Sequence, residues 1–177
     1  MLRSRDFLKS DIPVICGFPR NPQELFHMFP AATWPLTPLQ LARSADSRHG
    51  STVVDCDEVV AGYANFVRCV PGDVCVIGNV IVNPAMRRQG VGTFLVRAMA
   101  ARAAAEYGAH RVRLRCVASN EAGLHLYSAV GFRRVGVRTR MGLDGAVWPV
   151  HVLEMPLDPG MVRDRQDIVE ARAVALV

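Results

Sequence analysis

Val74-Cys75-Val76-Ile77-Gly78-Asn79-Val80-Ile81-Val82-Asn83-Pro84, running on into Ala85-Met86-Arg87-Arg88-Gln89-Gly90-Val91-Gly92-Thr93, is the stretch that decides the fold. Val74 to Val82 is almost continuously apolar, the pattern of a central strand covered on both faces. Beyond the two glycines, Val91, Leu95, Ala98 and Met99 fall on one face at helical spacing. A long helix is therefore predicted from about Gly90 to Tyr107, with Gly108 as its stop. Arg111 to Ala118 then sets Val112, Leu114, Cys116 and Ala118 against Arg111, Arg113 and Arg115, which predicts a strand with one wet face. Strand, helix and strand in that order make a right-handed parallel crossover.

The flanks add further elements. Ser10 to Phe18 reads as an apolar strand. Asn21-Pro22 and Thr37-Pro38 each place a capping side chain before a proline at the first helical position, predicting helices to about Phe29 and Ala45. Thr52 to Val54 and Val59 to Val67 predict an antiparallel hairpin around Asp55-Cys56-Asp57-Glu58. Asn120 caps a helix to Val130 that Gly131 ends. Phe132 to Leu143 and Val147 to Leu157 predict two strands joined through Asp144-Gly145. Residues 1–157 thus read as one domain, and 158–177 as a tail or a short docking helix with apolar pairs seven residues apart.

Composition narrows the function classes. The chain has 177 residues, half of them hydrophobic, enough for a substantial core. No run approaches the roughly 18 apolar residues of a membrane span, and the start carries no export signal. A soluble, cytoplasmic protein without a membrane partner is expected. The five cysteines are scattered without metal-ligand spacing, so no metal site is expected and the thiols read as reduced and mostly buried. The net charge of +5 comes almost wholly from dispersed arginines, with Lys9 the sole lysine, and no basic run suggests nucleic acid.

Chemistry concentrates at two places. At Arg87-Arg88-Gln89-Gly90-Val91-Gly92-Thr93 a glycine-rich turn leads into a helix. The unpaired N–H groups and partial positive charge of that helix start suit a phosphate. The loop lacks the third glycine of a dinucleotide fingerprint, where Leu95 stands, and it lacks the Gly-Lys-Ser/Thr of a P-loop. At Asn120-Glu121-Ala122-Gly123-Leu124-His125-Leu126-Tyr127, seven residues span nearly two turns. Asn120 and Tyr127 therefore share a helical face that could line a slot, or Tyr127 is a core residue with its hydroxyl at the rim.

Together these residues resemble the GNAT superfamily of acetyl-CoA-dependent N-acetyltransferases. Arg87, Gly90 and Gly92 match that family's Arg/Gln-x-x-Gly-x-Gly/Ala loop. Asn120, Gly123, Leu126, Tyr127, Gly131 and Phe132 match its Asn-x-x-Ala/Gly-x-x-Leu-Tyr-x-x-x-Gly-Phe helix. The resemblance implies a single α/β (α+β) domain. Its central mixed, mostly antiparallel sheet would have about seven strands, with helices on both faces and one parallel crossover.

The resemblance also implies acetyl-CoA as co-substrate. Val80, Ile81 and Val82 would lie along the pantetheine arm, and Arg87, Arg88, Gln89, Gly90, Val91, Gly92 and Thr93 at the pyrophosphate. Asn120, Gly123, Leu126 and Tyr127 would stand at the thioester, with Tyr127 as the acid for the departing thiolate. The acceptor would be a primary amine of a small molecule or peptide, and a homodimer would be in keeping with the family. The carboxylate that relatives use as a base is missing. Arg115 stands five residues before Asn120, and Cys75-Val76-Ile77 occupies the early cofactor strand. Deprotonation is then expected through water, His151 or Glu154, and an acyl-CoA-binding protein without catalysis is the alternative function.

Overall fold

The computed structural model describes residues 1–142 and 144–158, in which seven strands form one sheet of order β1-β2-β3-β4-β5-β7-β6. The strands are β1 (Leu2–Asp6), β2 (His49–Cys56), β3 (Val59–Val70), β4 (Val74–Val82), β5 (Arg111–Val117), β6 (Arg133–Met141) and β7 (Val147–Pro156). The helices are α1 (Ile12–Cys16), α2 (Pro22–Met28), α3 (Pro38–Asp46), α4 (Val91–Tyr107) and α5 (Glu121–Val130). Every neighbouring pair is antiparallel except β4 and β5, the predicted crossover. The expected tail helix falls on 159–177, outside the described residues. No helix among the described residues is long and apolar enough to cross a membrane.

Two apolar layers hold the sheet. α4 lays Val91, Leu95, Val96, Met99, Ala100 and Ala103 over Phe66, Cys75, Ile77, Val112 and Leu114. On the opposite face α1 to α3 bury Ile15, Leu25 and Leu41 against Val53, Tyr63 and Ile81. This second layer covers β2 to β4, and Phe26 of α2 extends it to Val117 and Val150. At roughly 1.5–3 kcal/mol for each large buried side chain, the two layers supply the main stabilising term against chain entropy.

Cap residues set the helix starts. Asn21 Oδ1 accepts from Glu24 N at 2.8 Å, and Thr37 Oγ1 accepts from Gln40 N at 3.4 Å. The β2–β3 turn carries Asp57 and Glu58 with positive φ, the twist a tight hairpin needs.

Ser10–Phe18 is a correction to the sequence reading. It forms a 3₁₀ turn (Lys9–Asp11) and then α1, and the missing edge strand is β1. The reason is distant in sequence. Arg5 on β1 forks onto Asp55 of β2, at 2.6 and 3.1 Å, and onto Asp11, at 2.8 and 2.9 Å, while Asp11 also accepts from Leu8 N at 2.8 Å. A buried carboxylate fixed at Asp11 turns the chain into a helix whose apolar side, Ile12 and Ile15, enters the second layer. Arg5→Met leaves Asp11 and Asp55 without their cation and should lower stability by about 3 kcal/mol in urea unfolding; a loss under about 1 kcal/mol would show that the fork is ornamental.

Candidate active site

The site begins with a defect in β4. Asn79 has φ 52, in the left-handed region that strands avoid. Across β3, Tyr63 pairs with Ile81 and Asn65 with Gly78, so Asn79 and Val80 stand opposite Ala64 alone, a β-bulge. Beyond it β4 leaves β5. The parallel ladder runs only from Val74 and Arg111 to Ile77 and Leu114, while Arg115 to Val117 continue along β7. The β5-side edge of Gly78–Val82 therefore has no strand partner among the described residues, and the two strands splay.

The bulge is held by side chains. Asn79 Oδ1 accepts from Arg48 Nη1 at 2.7 Å and its Nδ2 donates to Ser44 Oγ at 3.0 Å; Arg48 Nη1 also donates to Asn65 Oδ1 at 3.1 Å. Arg48 in turn lies 5.3 Å from the Phe29 ring centroid.

The α4 entrance lies at the C-terminal end of β4. Asn21, Thr37 and Asn120 cap α2, α3 and α5, whereas α4 starts at Gly90 with no side-chain cap and no acidic residue in its first turn. Gly90 has φ 82, a conformation glycine adopts without strain. A Cβ on Gly92 would sit 3.0 Å from Leu126 Cδ2, so glycine there lets α5 approach α4. Val91 is buried, Thr93 is half-buried, and Gln89 Nε2 turns back to Ala85 O at 3.2 Å.

The two arginines of the loop divide. Arg88 is exposed, with φ 65. Arg87 instead makes a two-pronged pair with Glu24 of α2, at 2.9 and 3.0 Å, and reaches Val82 O at 3.4 Å. Its guanidinium thus braces the loop against α2. Arg87, with Arg20 assisting, holds the Glu24 carboxyl down at about 2.

Tyr127 lies between the splayed strands and α5. Its ring packs edge-on to Phe132 at 5.9 Å between centroids, and its hydroxyl has no hydrogen bond among the described residues. Burial, with a smaller contribution from Cys116, pushes the phenol above its ordinary value near 10, so it stays protonated at neutral pH. Asn120 Oδ1 accepts from Gly123 N at 3.0 Å, which caps α5.

Tyr127 borders a trough of about 620 Å³ that includes Gly78, Asn79 and Val80 on one side and Val117 and Val150 on the other. Val80 and Val82 are half-buried, while Ile81 points away into the second apolar layer.

A fold with this splay, uncapped helix and buried tyrosine invites comparison with known proteins. The model of a family described as acetyltransferase (GNAT) matches residues 20–132. The chain belongs to the GNAT acetyltransferase family. Acetyl-CoA is the co-substrate that goes with that membership.

Solved structures share the fold of this GNAT chain at low identity. The ribosomal-protein-S18-alanine N-acetyltransferase of Escherichia coli superposes with TM-score 0.68 at 20% identity, covering 89% of this chain and 95% of that one. The yncA protein of Salmonella typhimurium, solved with its cofactor acetyl-CoA, gives 0.69 at 22% identity over 89% and 94%. Spermidine N-acetyltransferase of Vibrio cholerae, in complex with CoA and spermine, gives 0.74 at 16% identity over 88% and 95%.

The bases suggested by the sequence stand elsewhere. Glu154 is tied to Arg113 at 2.6 Å and to Arg111 at 3.6 Å. His151 pairs with Cys116 across the strands and alternates to the face opposite Val150. The trough wall instead presents His27 of α2, half-buried and 3.1 Å from Ser119 Oγ. Burial, opposed by Glu24, lowers the His27 imidazole from its ordinary value, so it is neutral at pH 7. The sequence offered no signal for His27 beyond its helix, because Ser119 comes from the other end of the crossover.

Glu24, with its depressed carboxyl, contributes stability above pH 4.5 that is lost as pH falls toward 2. The stability gap between the wild type and Glu24→Gln should be full at pH 6 and close over that window; a gap unchanged at pH 3 would contradict the Arg87–Glu24 brace. At Asn79, a β-branched residue cannot adopt φ 52 without strain, so Asn79→Val should cost on the order of 2 kcal/mol or more in thermal unfolding.

Proposed function

We propose that this chain moves the acetyl group of acetyl-CoA directly to a primary amine, with Tyr127 as acid and His27 as base. The observation that carries the reading is that both side chains border one trough where β4 and β5 part. An amine reaching that point from the trough meets a neutral imidazole and a protonated phenol.

The residues fit acetyl-CoA by shape and charge. The unpaired edge of Val80 and Val82 offers main-chain groups to the amides of a pantetheine arm, as an added strand would. The uncapped first turn, Val91 to Thr93, offers amides to a pyrophosphate, and Arg88, exposed and without an ion pair among the described residues, offers a cation beside them. In this reading Arg87 and Gln89 shape the loop, Gly90 and Gly92 let it approach closely, and Ile81 anchors the strand. Asn120, Gly123 and Leu126 set the helix that carries Tyr127.

Acetyl-CoA supplies an acetyl carbonyl activated as a thioester. His27 Nε2 receives the proton of the substrate ammonium, with Ser119 Oγ at 3.1 Å as relay, leaving the nitrogen lone pair free to bond to the carbonyl carbon. As that C–N bond forms and the C–S bond breaks, the Tyr127 hydroxyl gives its proton to the departing sulfur; the second proton leaving the nitrogen restores the Tyr127 phenol, and the one held on His27 passes to solvent. Burial helps both groups: it keeps the phenol protonated and the imidazole unprotonated.

A thiol-release assay over an amine panel, run beside calorimetry with acetyl-CoA, tests the reading. Tyr127→Phe should lower kcat about 100-fold at pH 7 to 9, with acetyl-CoA affinity kept. In His27→Ala the acidic limb of the kcat profile, expected below pH 6.5, should vanish. Acetyl-CoA binding without turnover of any amine would overturn the proposal and leave an acyl-CoA sensor. An unchanged kcat in Tyr127→Phe would remove the acid role.

A further inference from the structure

Away from Tyr127 the same trough is lined with arginine. The strand registers place Arg68 of β3, Arg111, Arg113 and Arg115 of β5, and Arg138 and Arg140 of β6 along it, on the sheet face opposite α4. Among the described residues, Asp73 is the single acid of the lining. It pairs with Arg111 at 2.7 Å, and Glu154 pairs with Arg113 at 2.6 Å. Arg68, Arg115, Arg138 and Arg140 are exposed and have no ionic partner among the described residues. Like charges on neighbouring strands repel one another, so the bare face carries a standing electrostatic cost that an anion would relieve.

The end nearest Tyr127 is different. There Val117 and Val150 form a small apolar cluster with Phe26, flanked by Trp148. A ligand suited to the whole trough therefore has an uncharged part at the reacting end and several negative charges beyond it. The span decides its size: from β3 to β6 are four strand spacings, about 19 Å, the length of roughly six extended residues.

We propose, on the reading that this chain acetylates amines, that its acceptor is a peptide amino terminus followed by an acidic segment. The terminal amine reaches His27 and Tyr127 over the apolar cluster, and the carboxylates lie across Arg115, Arg138 and Arg140. The same charge disfavours polyamines, which carry several ammonium groups and would meet arginine where they need carboxylates. Exposed charges of this kind act on encounter and selection more than on chemistry, so the preference is salt-dependent.

Acetylation of six-residue peptides with an amino-terminal alanine and acidic, neutral or basic continuations tests the inference, with spermidine, free glutamate and a single-stranded RNA included. The acidic peptide should exceed the neutral one at least tenfold in kcat/KM at low salt. That ratio should shrink toward one in 0.5 M salt. The Arg115→Glu/Arg138→Glu double variant should lose the preference or reverse it while binding acetyl-CoA with wild-type affinity, which also reports that it is folded.

Equal use of neutral and acidic peptides would overturn the inference and leave the acetyltransferase reading standing. So would spermidine as the best acceptor, or glutamate turned over as well as the peptide. RNA that competes more strongly than the acidic peptide would assign the arginine face to nucleic acid. No turnover of any amine, with acetyl-CoA bound, would overturn both.

Discussion

The left-handed backbone of Asn79 is the constraint on which the rest of the site depends. A residue at positive φ within a strand costs on the order of 1–3 kcal/mol, and here it persists because its side chain is tied at both ends. Arg48 and Ser44 supply those ties from α3 and the segment after it. The helices on one face of the sheet thus stabilise the distortion that parts β4 from β5. Without the bulge the parallel ladder could continue past Ile77, and the edge of Gly78–Val82 would be closed by hydrogen bonds to β5. The cleft is an interruption of a sheet that the core would otherwise complete.

Charge and burial are arranged with the same economy. Both approaches to the cleft, the α4 entrance with Arg88 and the trough with its arginines, favour anions. The proposed reacting point between them lies against the cluster of Val117, Val150 and Phe26. Tyr127 is buried there beside Phe132 and Cys116, so desolvation, with a smaller contribution from Cys116, keeps it protonated. Glu154, the acid on the sheet nearest the trough, is spent on Arg113 and Arg111. An arginine at position 115 is therefore compatible with the proposed base, His27, on the opposite wall.

Much of this was legible in the sequence where the signal was local. The apolar run Val74–Val82, the helical spacing of α4 and the alternation of β5 gave the crossover with correct ends, because each element's period was set by its own burial. Asn21, Thr37 and Asn120 marked helix starts by side-chain bonds that close within three residues. What misled was long-range. The run Ser10–Phe18 is apolar enough for either a strand or a helix, and Arg5 and Asp55 decide the matter from elsewhere. The brace between Arg87 and α2 could not be foreseen, because its partner Glu24 lies 63 residues away. The bulge at Asn79 left no trace in hydropathy, since one inserted residue in an apolar run is still apolar around it. Arg111, Arg113 and Arg115 were visible as a wet face, but only the sheet order brings them beside Arg138 and Arg140.

The Arg87–Glu24 fork joins two parts of the molecule that would otherwise move separately. One end sits in the loop that opens α4; the other sits on α2, three residues before His27. Any anion at the loop that competed for Arg87 would change the hold on α2, and any ligand that shifted α2 would change the loop's readiness for that anion. The two effects must be equal in free energy, since they close one thermodynamic cycle. In the proposed reaction, an anion at the loop and an acceptor against α2 would each register the other's presence through this single ion pair, whichever binds first.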